Sequence, residues 1–162
     1  MADTAAMDIV ARDRIVALGL EPHPEGGHYR RIHVSAREVD AAGRTRPAMT
    51  AITYLLDEGE RSAWHRIDAD ECWHWCEGGR LELLQHAPGS GVVQRRLLGR
   101  GVDGATPCGI VPAGAWQSAR ALGGPVLVSC VVAPGFVWEG FELLDAGSAL
   151  AGELPGLPVV MA

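Results

Sequence analysis

In the run GERSAWHRIDADECWHWCEG, His65 and Glu71 stand on either side of a tight acidic turn, Asp68-Ala69-Asp70. Further on, the string PAGAWQ places Gln117 shortly after Pro112 and Gly114. An imidazole in an enclosed site titrates near neutrality and can pass a proton either way. A nearby carboxylate can orient that imidazole or act separately. With the amide oxygen of Gln117, the same residues also make a thin donor set for a divalent transition metal. The chemistry on offer is proton transfer or weak metal binding.

Strand alternation sorts the neighbours of these residues. On one strand His65 and Ile67 share a face, and on the next Glu71, Trp73 and Trp75 share one. If His65 and Glu71 face inward, then Cys72, His74 and Cys76 face outward, which sets His74 aside as a partner for His65. The expected pocket is lined by His65, Glu71, Trp73, Trp75 and Gln117, an aromatic enclosure with a few convergent polar groups. Tyr29 and Tyr54 are the chain's two tyrosines and candidate ligand contacts. Arg30 and Arg31 follow the turn PEGG and could meet an anionic ligand, although arginines on a strand edge are usually solvated. Glu25, inside that turn, reads as a loop-fixing residue.

The elements that must position this site are mostly short and extended. One helix is predicted over about 7–19, capped by Asp8 and stopped by Gly19, with Ile9, Val16 and Leu20 on a similar face. An extended stretch follows from His28 to Val34, and 35–47 reads as a polar loop. Strands are expected at Met49–Leu56, Ala63–Ile67, Glu71–Cys76, Arg80–His86, Val92–Leu98, Gly109–Val111, Ala115–Ala119, Val126–Ala133 and Phe141–Leu144. Gly78-Gly79, Pro88-Gly89 and Gly123-Gly124 are among the turn signals between them. This is an all-β sandwich or barrel with one helix at its edge. One domain is expected over 1–145, and 146–162 reads as a loosely packed or disordered tail.

Composition narrows the function classes. A net charge of -6 without a basic run argues against nucleic-acid binding. The chain has no lysine, which excludes a Schiff base, a pyridoxal phosphate anchor and a phosphate-loop lysine. No apolar run reaches the length of a membrane span, and a cytoplasmic protein is expected. The 4 cysteines include no Cys-x-x-Cys pair and read as small buried hydrophobes rather than a disulfide framework.

The motif positions resemble those of the cupin superfamily. Gly59, His65, Glu71 and Gly78 match the first cupin motif, with Ile67 where its second histidine belongs. Pro112 and Gly114 match the second motif, with Gln117 in place of its histidine and Ala121 in place of its later asparagine. The strings LGLEPHPEGGHYRR, TAITYLL, SAWHRIDADECWHW, IVPAGAWQSA and VAPGFVWEGFELL are similar to the uncharacterised cupin-5 group. That resemblance implies a double-stranded β-helix, a jelly-roll barrel and commonly a homodimer, with no settled activity. Apolar and aromatic outward faces on several strands fit a homodimer as well.

Three readings follow. In the first, the barrel binds a small polar metabolite and acts on it as a metal-independent isomerase or epimerase through a His65/Glu71 acid–base pair. In the second, the same pocket is a non-catalytic small-molecule binding module. In the third, a metal-dependent oxygenase or isomerase holds its ion on His65, Glu71 and Gln117. No cofactor is expected in the first two.

Overall fold

The computed structural model describes residues 7–162; residues 1–6 of the expected domain lie outside that range. Helix α1 (Ile9–Leu18) starts where the Asp8 carboxylate accepts the Val10 N–H at 2.7 Å and ends on Gly19, whose φ of 61° is left-handed. Its packing face differs from the expected one. Ala11 is buried, with Ile15 and Leu18 packed beside Leu20 and Leu55, whereas Ile9 and Val16 point to solvent. The helix lies on the sheet by its small residue, so the bulkier Ile9 and Val16 fall on the outer side.

Twelve strands follow the helix: β1 (Glu21–Pro22), β2 (His28–Val34), β3 (Glu38–Ala41), β4 (Arg44–Pro47), β5 (Thr50–Leu56), β6 (His65–Ile67), β7 (Asp70–His86), β8 (Val93–Leu98), β9 (Cys108–Val111), β10 (Trp116–Ala133), β11 (Phe141–Leu143) and β12 (Val159–Met161). A short helix α2 (Ala149–Glu153) precedes the last of them. The main sheet runs β1-β2-β5-β10-β7-β8-β12, with β6 also on β10, β11 on β6, and β9 on β7. No helix among the described residues is long and apolar enough to cross a membrane.

Two long antiparallel strands, β7 and β10, are the spine, and they make a barrel by folding back on themselves. Gln117 pairs with Gln85, whereas Glu71 pairs with Val132. Along straight strands these pairs would lie about 45 Å apart, at ~3.3 Å per residue. Yet the Gln117 and Glu71 side chains meet at 2.6 Å. The bend sits at Gly78-Gly79 opposite Gly123-Gly124, where the register slips between Leu122 and Val126. A Cβ on Gly78 would stand 2.1 Å from the Pro125 carbonyl oxygen, so the two backbones can approach only without one. Glycine pairs that looked like breaks between strands are therefore bends within strands. The expected strands Glu71–Cys76 and Arg80–His86 merge into β7, and Ala115–Ala119 and Val126–Ala133 into β10.

Tyr54, Leu56, Trp73, Leu81, Leu83 and Val128 lead the core that fills the barrel. Two stretches are more ordered than their composition suggested. The expected loop over 35–47 holds the hairpin β3–β4, clamped by Arg44 and Arg46 on Asp68 at 2.8 and 2.9 Å. The Arg46 Nε–H also donates to the Gly135 carbonyl at 2.7 Å, so long-range contacts, rather than local apolar residues, fix this segment. The tail over 146–162 forms α2, capped by Ser148, and then β12, which adds in parallel to β8. Of the cysteines, only Cys130 is buried; Cys72 and Cys108 are half-buried and Cys76 is exposed.

Candidate functional site

A cavity in the barrel is lined by side chains from β2, β5, β6, β7, β10 and β11 and from one turn. The turn His23–Gly27 joins β1 to β2. It is closed by backbone hydrogen bonds from His23 N–H to the Gly27 carbonyl and from Gly26 N–H to the His23 carbonyl, both 3.0 Å. The Tyr54 hydroxyl donates to the Gly26 carbonyl at 2.7 Å, and the Ala63 N–H donates to the Glu25 carbonyl at 2.6 Å. Gly27 has a φ of +70°, and a Cβ there would stand 2.7 Å from the Leu55 carbonyl oxygen. Stitched down in this way, the turn points the Glu25 carboxyl inward, where only 7% of the side chain is exposed.

His65 meets that carboxyl. The ring lies on β6 opposite Gln117, with its Nδ1–H donating to the Ala63 carbonyl at 2.8 Å and its Nε2 3.1 Å from Glu25 Oε2. Because a carbonyl oxygen can only accept, the Nδ1 carries a hydrogen and the Nε2 of a neutral ring presents a lone pair to Glu25. Burial lowers the His65 pKa to about 4, against the partial support of the Ala63 carbonyl, with His23 lowering it further. Burial also raises the Glu25 carboxyl well above its ordinary range, and the charge of Glu71 adds to the rise. Both shifts put the one proton of this contact on the carboxyl.

His23 packs its ring edge-on against Tyr29, with 4.5 Å between centroids, and its Nδ1 accepts the Glu25 N–H at 3.2 Å. Burial lowers its pKa to about 4, so it too is neutral near pH 7.

Glu71 is the second buried carboxyl of the cavity. The Trp73 indole N–H donates to Gln117 Oε1 at 2.9 Å, which fixes the amide so that its nitrogen donates to Glu71 Oε2 at 2.6 Å. Burial raises the Glu71 pKa to about 7, while hydrogen bonding from Gln117, and less from Cys130 and Trp73, holds it back. Ile52, Ile67 and Val132 form apolar walls, and Arg31, Phe136, Trp138 and Phe141 surround the mouth. The free space is about 40 Å³, room for a few waters or for the reacting end of a small molecule.

A family model described as Cupin superfamily (DUF985) matches residues 12–144. The chain belongs to this cupin family. No curated protein matches it. Among solved structures, a protein from Shewanella oneidensis is similar at 35% identity and a TM-score of 0.81, with 90% of each chain covered. A hypothetical protein from Leishmania major is similar at 29% identity and a TM-score of 0.82, covering 93% of this chain and 99% of that one. Oxalate decarboxylase from Bacillus subtilis shares the fold at 17% identity and a TM-score of 0.58, with 76% of this chain aligned to 29% of that one.

The cupin barrel brings together some of the residues expected from sequence and separates others. His65, Glu71, Ile67 and Tyr29 line the cavity, and His74 is exposed on the outer face. Gln117 and Trp73 are buried behind Glu71 rather than in the cavity wall. Trp75 turns elsewhere, its indole N–H donating to the Gly79 carbonyl at 2.8 Å. Tyr54 lies beneath the His23–Gly27 turn, where its hydroxyl is committed to Gly26. Arg30 points away and donates to the Leu18 carbonyl at 3.2 Å, so the arginine at the cavity is Arg31.

Sequence reasoning missed His23, Phe136 and Phe141 as cavity residues and read Glu25 only as a loop-fixing residue. An acidic residue between Pro24 and two glycines was the available signal for Glu25. A turn this tight leaves its one carboxyl little choice of direction.

Cupin barrels commonly suggest a metal, and the donor set here does not fit one. Gln117 turns its oxygen to Trp73 and presents N–H groups toward Glu71, so the third ligand of the expected set faces the wrong way. Ile67 supplies an apolar wall where an intact motif has an imidazole. Among the described residues, no three His, Cys, Asp or Glu side chains converge as a metal site.

Proposed function

We propose that this cupin is a metal-independent isomerase or epimerase that moves a proton on a small polar metabolite. The observation that carries the reading is the 3.1 Å contact of His65 Nε2 with Glu25 Oε2 inside a cavity that also holds Glu71. Isomerisation needs one group that takes a proton from the substrate and another that returns one. Glu71, with a pKa of about 7, is ionised in a large fraction of molecules at neutral pH and serves as the acceptor. The Glu25–His65 contact holds a proton that a substrate can receive, with His65 kept in one tautomer by Ala63. The acid–base pair expected from sequence thereby becomes a trio, in which Glu25 is the direct partner of His65. The apolar walls and aromatic mouth keep bulk water from competing for the proton.

Deuterium exchange tests this reading. The purified protein is incubated in D₂O with a panel of aldoses, ketoses and hydroxy acids and followed by proton NMR. One substrate is expected to lose a single C–H signal in the presence of the wild type, with the rate falling by about 10²–10⁴ in His65→Ala and Glu71→Gln. Exchange that proceeds equally well in both variants would count against it.

A further inference from the structure

Arg31 stands apart from the arginines that the fold ties to carboxylates. Arg44 and Arg46 are paired with Asp68, Arg66 with Glu142, and Arg61, Arg95 and Arg120 with Glu82. Arg31 has no carboxylate partner among the described residues. It lies on the inward side of β2 with Tyr29, opposite Ile52 of β5. Immediately beyond it the register slips, because Arg31 faces Ile52 and His33 already faces Ala51. Such a bulge re-aims side chains at the end of a paired stretch. The guanidinium carbon sits 5.7 Å from the centroid of the Phe136 ring at the cavity mouth, which gives the long side chain a seat.

Charge within the cavity is segregated along its depth. Glu25 and Glu71 lie at the buried end, held by His65 and Gln117, and Arg31 stands at the open end as the one arginine of the lining. An anionic group is disfavoured beside the buried Glu71 carboxylate and attracted to the guanidinium at the mouth. A planar guanidinium with free N–H donors matches a carboxylate or phosphate in a two-point contact.

We infer that Arg31 selects substrates bearing a carboxylate or phosphate and anchors that anion at the mouth, leaving the uncharged, reacting end against His65 and Glu71. This rests on the proposed reading of the cavity as a substrate site and adds the substrate class.

Calorimetric titration with three matched probes, glycerol, glycerate and glycerol 3-phosphate, tests the inference. The wild type is expected to bind at least one of the anions about tenfold or more tightly than glycerol, and the preferred anion tells carboxylate from phosphate. Arg31→Gln should lose that advantage, Arg31→Lys should recover part of it, and Arg30→Gln should keep it. His65→Ala should still bind the anion, so a failure of the proton-transfer reading leaves this result standing. Equal binding of glycerol, no binding of either anion, or an advantage that survives in Arg31→Gln would overturn the inference.

Discussion

His65 Nε2 lies 3.1 Å from Glu25 Oε2, and the opposite ring nitrogen is tied to the Ala63 carbonyl at 2.8 Å. Between two neutral partners this contact is a carboxylic acid donating to an imidazole lone pair. Glu25→Gln preserves the shape and supplies an amide N–H in place of the acid proton. The variant is expected to fold with little change in Tm while proton exchange on substrate falls by about 10² or more. Glu25→Ala leaves the Nε2 without a partner and should also lose about 1–3 kcal/mol of stability in denaturant titration.

Glu71 makes stability depend on pH with a definite sign. Its folded pKa of about 7 lies above the ordinary 4.5, so the folded state holds the proton more tightly than the unfolded chain does. The resulting stabilisation is present below pH 4.5 and is lost as pH rises to about 7. Glu71→Gln removes the ionisation. The variant should match the wild type near pH 4.5 and exceed it above pH 7, by up to about 3 kcal/mol. A stability difference that is flat across this range would refute the assignment.

His23 and His65 run the opposite way. Both are depressed from 6.5 to about 4, so their contribution is present above pH 6.5 and lost as pH falls toward 4. Thermal melts of Glu71→Gln should therefore show a loss of Tm on acidification through this window.

Trp73 controls Glu71 through one amide. Replacing it with phenylalanine leaves Gln117 Oε1 buried without its 2.9 Å donor and frees the amide to turn over. The expected cost is about 1–3 kcal/mol, with a change in the Glu71 titration that a purely structural tryptophan would not produce. Carboxyl carbon NMR shifts read that titration directly.

The all-β class was legible in the sequence because short extended segments and turn residues are local signals. The barrel came with the resemblance to the cupin motifs, since the glycine pairs by themselves read as breaks between strands. Alternation put His74 on the face opposite Glu71, and in the structure His65 and Glu71 line the cavity while His74 is exposed. It could not say that Trp73 and Gln117 would satisfy each other behind the cavity wall, because their hydrogen bond spans 44 positions and depends on the bend at Gly78-Gly79. For Arg30 and Arg31, the choice turned on which of two adjacent residues faces inward, and only the pairing of β2 with β5 decides that. Glu25, which the sequence presents as a loop-fixing residue, was the hardest to place. Its role depends on β6 delivering His65 beneath a turn some forty residues earlier in the chain, a contact that no local pattern records.

The state of the His65 ring is the most direct measure of the central claim. Nitrogen-15 NMR of the wild type across pH 3–8 should show a neutral ring protonated on Nδ1, gaining a second proton only near pH 4. In Glu25→Gln the tautomer should persist. A ring that titrates near 6.5, or one that carries its single hydrogen on Nε2, would contradict the account.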